Sequence, residues 1–150
     1  MDLNLPSFSF RIKEQNGKKL IFDNFRRRWV ILTPEEWVRQ NFASYLTEIK
    51  HYPASLVALE RSLRINQHDF RADIVLFSRS GKPSVIVECK APDVKISQQV
   101  FDQIARYNLE LRVSYLIVTN GLNHYCCQFD KTQLTYSFLQ EIPDFLQMEQ

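Results

Sequence analysis

Charged side chains border two apolar stretches in the middle of the chain. Asp73 precedes the run Ile74–Phe77, and Glu88 and Lys90 follow a second apolar run at positions 85–87. Continuous apolar runs are typical of strands covered on both faces, where an unpaired charge is costly. Because Glu88 and Lys90 are two residues apart, they project from one face of a strand. Two carboxylates and an ammonium group in this setting suit metal-assisted hydrolysis.

The turn between the two runs determines how these charges meet. The sequence Ser-Gly-Lys-Pro at positions 80–83 predicts a β-hairpin. If the turn is centred on positions 80 and 81, Arg79 faces Lys82 and Asp73 faces Glu88, with Cβ atoms about 4.5–5.5 Å apart. Opposed carboxylates repel each other unless a cation lies between them, and Mg²⁺ prefers such oxygen ligands. A turn centred one residue later would slip the register and separate the pair.

Each member of this group has an expected role. Asp73 and Glu88 would hold Mg²⁺ or Mn²⁺ together with the backbone carbonyl of Cys89. Lys90 would orient or help to deprotonate a water and offset developing charge. The alternative interpretation is a surface salt bridge between Lys90 and Glu88, since both side chains point the same way.

Composition limits the class of protein. A length of 150 residues fits one domain, 1–150, and 45% hydrophobic residues are ample for a packed core. The formal charge of +2 does not by itself indicate a nucleic-acid partner, so local clusters must be inspected. Cys89, Cys126 and Cys127 form no CxxC pair, which favours a reducing cytoplasm over a disulfide framework. The sequence has no signal pattern and no apolar run of membrane-spanning length, so no membrane is expected.

The first 32 residues are expected to form a basic extension that contains strands. Ser7–Ile12, Leu20–Phe22 and Trp29–Leu32 are strand-like, and Asn16-Gly17 predicts a hairpin turn. The basic residues of this region are Lys18, Lys19, Arg26, Arg27 and Arg28. They form either a phosphate-contacting patch or a solvated loop, and the sequence leaves both interpretations open.

A helix is predicted to begin after Thr33. Thr33 is a suitable N-cap, Pro34 occupies the first helical position, and Glu36 stands three residues after the cap, as in a capping box. Apolar residues then recur at helical spacing at positions 38, 42, 45, 46 and 49. On a helical wheel Glu36 points away from this stripe. Glu35 lies near it and is either a further carboxylate ligand or a first-turn acid that favours the helix dipole.

The remaining pattern predicts an α/β fold. Alternation over Val57–Ile65 predicts a half-buried strand with Glu60 on its polar face, and Asn66–Asp69 predicts a turn. Strands are expected at Ser114–Val118 and His124–Phe129. The order helix, three strands, helix, strand, strand predicts a mixed central sheet flanked by helices, with a right-handed parallel crossover.

The second helix is expected to begin after Ser97. Its apolar stripe is Val100, Ile104, Tyr107 and Leu111. Gln103 lies one turn before Tyr107, so the two side chains are within reach of each other. They either support the site or are a helix-edge glutamine beside a packed tyrosine.

Asp73, then fourteen intervening residues, then Glu88-Cys89-Lys90 resembles the signature of the PD-(D/E)xK nuclease superfamily. Gln103 and Tyr107 match the QxxxY element of one branch, and the element order is similar to the restriction-endonuclease-like αβββαβ core. Ala72 stands where the nominal motif has proline, a position that varies in the superfamily.

With segments 32–40, 71–74 and 118–121, the chain resembles the N-terminal nuclease domain of type I restriction enzyme R subunits over roughly residues 25 to 130. The resemblance implies an Mg²⁺-dependent DNA endonuclease, or the nuclease domain of a restriction or DNA-processing system. It assigns metal binding and catalysis to Asp73, Glu88 and Lys90. Gln103 and Tyr107 would support either the positioning of DNA or the site itself.

The resemblance also bears on partners. R subunits carry a helicase motor after the nuclease domain, and this chain has none, so we expect it not to be a complete ATP-dependent translocating subunit. Helicase or translocase subunits, specificity subunits, or a second copy of the chain are the partners that it implies. A nucleic-acid-binding module that keeps the fold without cleaving, and a purely structural or interaction domain, remain as alternatives.

Overall fold

The computed structural model describes residues 2–65 and 67–149. In chain order the elements of this part of the chain are β1 (Ile12–Gln15), β2 (Lys18–Asp23), β3 (Arg28–Ile31), α1 (Pro34–Glu48), a short 3₁₀ helix (Ala54–Leu56), β4 (Val57–Ile65), β5 (His68–Phe77), β6 (Pro83–Cys89), α2 (Gln98–Leu111), β7 (Tyr115–Thr119), β8 (His124–Asp130), β9 (Thr135–Leu139) and α3 (Phe145–Met148).

The strands form two sheets. β1, β2 and β3 make an antiparallel three-stranded sheet, and β4 to β9 make a six-stranded sheet in chain order. β6 and β7 pair in parallel, and α2 connects them. The neighbouring pairs in the six-stranded sheet are otherwise antiparallel. The predicted mixed sheet flanked by helices is therefore confirmed, whereas a single domain of 1–150 stays a prediction.

The two long helices cover opposite faces of the six-stranded sheet. Val38, Phe42 and Leu46 of α1 belong to one apolar cluster, which includes Ile74 and Val87. Another cluster packs α2 against the alternate residues of the same strands, among them Phe101, Ile104, Val75 and Ile86. Covering on both faces explains why these strands are continuously apolar. The charged ends of β5 and β6 therefore lie at the border of a dry core.

The hairpin of β5 and β6 has the predicted register near the site but a different turn. Ile74 pairs with Val87, the register that brings Asp73 level with Glu88. At the turn, however, the Ser78 amide donates to the Lys82 carbonyl at 2.8 Å, so the prediction that Arg79 faces Lys82 is wrong. A register shift between positions 76 and 77 compensates for the longer turn.

Other boundaries also differ from the sequence prediction. The Asn16-Gly17 turn is confirmed, with Gln15 paired to Lys18, but the first strand begins only at Ile12. Asn66, part of the predicted Asn66–Asp69 turn, lies outside the described residues, and His68 and Asp69 belong to β5. None of the helices in the described part of the chain has the length and apolar character needed to span a bilayer.

Candidate active site

A local distortion of β4 and β5 changes the direction in which the Asp73 side chain points. Phe70 and Ala72 pack in the α2 cluster, but Ile74, also at an even position, packs in the α1 cluster. The alternation of side chains is therefore interrupted at Asp73. Glu60, at the level of Asp73 on β4, has a left-handed backbone with φ of 53°. Such conformations are uncommon outside glycine and are retained where the surrounding structure requires them, often at functional sites.

Asp73 is buried and held at both oxygens. Its Oδ1 accepts a hydrogen bond from a terminal guanidinium nitrogen of Arg39 at 2.7 Å. Its Oδ2 accepts from the backbone amide of Cys89 at 2.7 Å. The Cys89 side chain is itself fully buried in the core, and burial raises the pKa of its thiol. One contact from α1 and one from β6 thus fix the position of Asp73.

Arg39 is shared among several carboxylates of α1, β4 and β5. Besides Asp73 it contacts Glu36 and Glu60, each at 2.5 Å, and Glu35 at 3.9 Å. Glu36, predicted as the partner of Thr33 in a capping box, is buried, and its carboxylate bonds to Arg39 and Arg26. Thr33 does cap the helix as predicted, accepting from the Glu36 amide at 3.0 Å.

Glu88 and Lys90 stand beside Asp73 at the end of β6. The Lys90 ammonium lies 3.2 Å from Glu88 Oε1, so the salt bridge of the alternative interpretation is present. Burial, followed by the charge of Asp73, raises the pKa of Glu88 to about 7, against an opposing effect of Lys90. A hydrogen bond to Asp73 also raises it. The two carboxylates are therefore close enough to compete for negative charge.

The ion pairs form a network with an excess of negative charge. Its carboxylates are Asp23, Glu35, Glu36, Glu60, Asp73 and Glu88, and its cations are Arg26, Arg39, Arg71 and Lys90. Six carboxylates against four cations leave two negative charges unbalanced when all are ionised. A divalent cation would balance these two charges. The carboxylate oxygens are donors that suit a hard ion such as Mg²⁺.

The described residues contain no group of three or more His, Cys, Asp and Glu side chains arranged to hold a metal. The structure thus brings Asp73 and Glu88 together as side-chain donors but does not add Glu35 to them as a third. The Glu35 side chain is 47% exposed. Partial burial and the nearby charge of Asp73 raise its pKa, so it lies within the electrostatic reach of the site. Its role as a ligand stays a prediction.

A cavity of about 230 Å³ opens beside Glu88 and Lys90. Gln103 and Tyr107 of α2 line it, as do Phe70 and Arg71 of β5. Tyr107, a member of the predicted apolar stripe of α2, is 42% exposed. Its ring stacks on Phe70 with centroids 4.4 Å apart. The α2 pair predicted to support the site therefore faces the same cavity as two of the candidate catalytic residues.

The basic residues before α1 lie apart from this cavity. Arg26 bonds to Asp23 and, at 2.8 Å, to Glu36, so its guanidinium is engaged with carboxylates. Arg27 and Arg28 are exposed. Contact of these three residues with DNA stays a prediction.

Sequence reasoning missed Arg39 and treated Glu60 as an exposed residue of a polar face. Arg39 stands three residues after Glu36 and four after Glu35 on a correctly predicted helix, a spacing that brings opposite charges together. That signal could have identified it. Glu60 gave no such signal, because its position depends on the distortion opposite Asp73.

Comparison with solved structures supports the fold. A fragment described as a putative HsdR subunit of a type I restriction enzyme from Vibrio vulnificus YJ016 matches with a TM-score of 0.54 at 20% sequence identity. The match covers 78% of this chain and 25% of that chain, so the present sequence spans about a quarter of the solved one. At this identity the likeness concerns the fold alone.

Comparison with sequences gives the family. No curated protein matches the chain. The family model described as the type I restriction enzyme R protein N terminus (HSDR_N) matches residues 34–143, which include α1, the six-stranded sheet and α2. Since this stretch is well over half of the chain, the protein belongs to the family of type I restriction enzyme R protein N termini.

Proposed function

We propose that this protein hydrolyses phosphodiester bonds of DNA with the help of Mg²⁺ or Mn²⁺, as the nuclease module of a restriction or DNA-processing system. Membership in the R protein N-terminal family supports a nuclease-related module of a restriction system. The observation that carries the finer proposal is the pair Asp73 and Glu88, in which burial and the charge of Asp73 raise the pKa of Glu88, with Lys90 alongside. We take this pair and Lys90 as the acidic residues and the lysine of a PD-(D/E)xK site.

Each residue of the candidate site has a proposed role. Asp73, already fixed by Arg39 and the Cys89 amide, and Glu88 would hold the cation, with the Cys89 carbonyl as a further oxygen donor. A bound divalent cation would polarise a phosphoryl oxygen and lower the pKa of a coordinated water. Lys90 would then turn from Glu88 to orient the attacking water and to offset charge on the phosphate.

The cavity beside Glu88 gives α2 its role. Gln103 and Tyr107 line this cavity and would contact the DNA backbone next to the scissile phosphate. Their contribution is positioning, which phosphodiester cleavage requires as much as chemical activation. DNA is then the substrate, and helicase or translocase subunits, specificity subunits or a second copy of the chain are the proposed partners.

A nucleic-acid-binding module that does not cleave is the second candidate. The observation that favours it is the pairing of both carboxylates within the protein: Arg39 neutralises Asp73 and Lys90 neutralises Glu88. Each of the two carboxylates thus has a cation of the protein as its partner without a metal. Two points argue against this candidate. The network keeps an excess of negative charge, and a module that does not cleave would not need Glu88 next to Asp73.

Plasmid cleavage tests the proposal. We expect the wild-type protein to nick or linearise supercoiled DNA with Mg²⁺ or Mn²⁺ and not with EDTA. Lys90→Ala should reduce the rate about 100-fold or more, because water activation and charge compensation are lost. Lys95→Ala, an exposed lysine on the following loop, is the control and should cleave like the wild type.

Two results would decide against the assignment. Equal cleavage by the wild type and Lys90→Ala would refute the proposed site. DNA binding without cleavage in either metal would favour the second candidate.

A further inference from the structure

The two faces of the N-terminal sheet differ in the charges that they carry. This sheet, β1 to β3, precedes the stretch that the family model matches. On its inner face Ile21 is fully buried, and the register pairs Glu14 with Lys19 and Asp23 with Arg28. The acids of these strands thus lie opposite cations on the inner face.

The outer face carries cations without acids. The cross-strand register, together with the hydrogen bond from the Phe22 amide to the Arg11 carbonyl, determines which side chains lie on this face. They are Arg11, Lys13, Gln15, Lys18, Leu20, Phe22, Trp29 and Ile31. Arg11, Lys13 and Lys18 are exposed. None of the three forms an ion pair with any described residue. A face of this kind complements a polyanion.

Two aromatic rings contact two of these cations, Arg11 and Lys13. The Arg11 guanidinium lies 4.4 Å from the Phe22 ring centroid and 5.3 Å from that of Trp29. The Lys13 ammonium lies 4.2 Å from the Trp29 centroid. Phe22 and Trp29 support each other edge to face, with centroids 5.4 Å apart. These cation–π contacts reduce the side-chain freedom that binding to a phosphate would otherwise have to restrict.

The same contacts indicate which nucleic acid fits. Single-stranded DNA is bound by stacking its bases on aromatic side chains. Here Arg11 and Lys13 cover the rings, so the face offers fixed charges and no open stacking platform. Fixed charges without base contacts suit the phosphate backbone of a duplex, which is bound independently of sequence.

We propose that this outer face binds the phosphate backbone of double-stranded DNA through Arg11, Lys13 and Lys18. The proposal extends the proposed function by a DNA-binding surface separate from the cavity, and it does not require cleavage. The sheet is also tied to the candidate active site, since Arg26 in the β2–β3 turn bonds to Glu36, which in turn bonds to Arg39. Duplex held on the sheet would therefore be held at a fixed position relative to α1.

Fluorescence anisotropy of a short labelled duplex, measured in EDTA over a range of salt concentrations, tests this proposal. Arg11→Gln/Lys13→Gln should weaken binding about ten-fold or more. It should also reduce the slope of log K against log salt by roughly 2, since each phosphate that the protein neutralises contributes about 0.9 to that slope. Lys82→Gln/Lys131→Gln removes the same charge from exposed positions elsewhere and should leave affinity and slope unchanged.

Two outcomes would overturn the proposal. One is an equal loss of affinity in the two double variants, or none in either. The other is binding of single-stranded DNA in preference to the duplex, abolished in Arg11→Gln/Lys13→Gln, which would mean that the rings do serve as a stacking platform. Binding is measured in EDTA, where no cleavage is expected, so failure of the cleavage proposal and failure of this one are distinguishable.

Discussion

The Arg39 guanidinium bonds to Asp73 Oδ1 at 2.7 Å, from the first half of α1 to the middle of β5. The other oxygen of Asp73 accepts from the Cys89 amide, so the carboxylate is positioned by two separate elements. Preorganisation of this kind is what a metal-binding or catalytic carboxylate needs, because little motion remains to be restricted on binding. It also makes the site part of the folded core, with consequences for stability.

Arg39→Met should destabilise the protein strongly. The Arg39 side chain is only 7% exposed, and removing its charge leaves Glu36, Glu60 and Asp73 without their shared partner. We expect the free energy of unfolding in urea to fall by about 3–5 kcal/mol. Arg64→Met, which breaks an exposed ion pair with Asp69, is the control and should cost less than about 1 kcal/mol. Similar small losses in both variants would contradict a buried network around Arg39.

Glu88 should make stability depend on pH near neutrality. Burial and the charge of Asp73 raise its pKa to about 7 in the folded protein, above the usual value of 4.5. Its contribution to stability is therefore fully present below the unfolded pKa and is lost as the pH rises through about 7. We expect the free energy of unfolding to fall between roughly pH 5 and pH 8 more steeply for the wild type than for Glu88→Gln, which cannot ionise. Parallel curves for the two proteins would show that Glu88 titrates normally.

Gln103→Ala should impair cleavage while leaving the fold intact. Gln103 is exposed and lines the cavity beside Glu88 and Lys90, so the substitution removes a hydrogen bond to DNA and no core packing. We expect kcat/KM for plasmid cleavage to fall by about ten-fold, the effect of a hydrogen bond to a charged group. Gln99→Ala, an exposed glutamine on the same helix outside the cavity lining, should cleave normally and melt at the same temperature. If both variants cleave like the wild type, the cavity is not the surface that contacts DNA.

Much of the fold could be predicted because its signals are local. Thr33 and Pro34 mark the start of α1, and the apolar runs of β5 and β6 identify the covered strands. The register at the site agrees with the one derived from a turn centred on positions 80 and 81, although the turn itself differs. There the longer turn is offset by the irregularity between positions 76 and 77, which no local pattern indicates.

The parts that could not be predicted depend on tertiary contacts. Glu36 fits a capping box locally, but in the fold its carboxylate bonds to Arg26 from the β2–β3 turn. Glu60 lies on the polar face by simple alternation, yet the distortion opposite Asp73 directs it to Arg39 and Arg71. Arg26 is one of three adjacent arginines in the sequence. Only the fold shows that Arg26 bonds to carboxylates whereas Arg27 and Arg28 are exposed.

The central claim, that Asp73 and Glu88 together bind a divalent cation, is tested most directly by crystals soaked in Mn²⁺ and measured near the manganese absorption edge. We predict an anomalous difference peak within coordination distance of both carboxylates, with Lys90 displaced from Glu88. A peak lost in Asp73→Asn would confirm that the carboxylate is the ligand. The absence of any peak there at saturating Mn²⁺, with Arg39 and Lys90 still paired to the two carboxylates, would contradict the account.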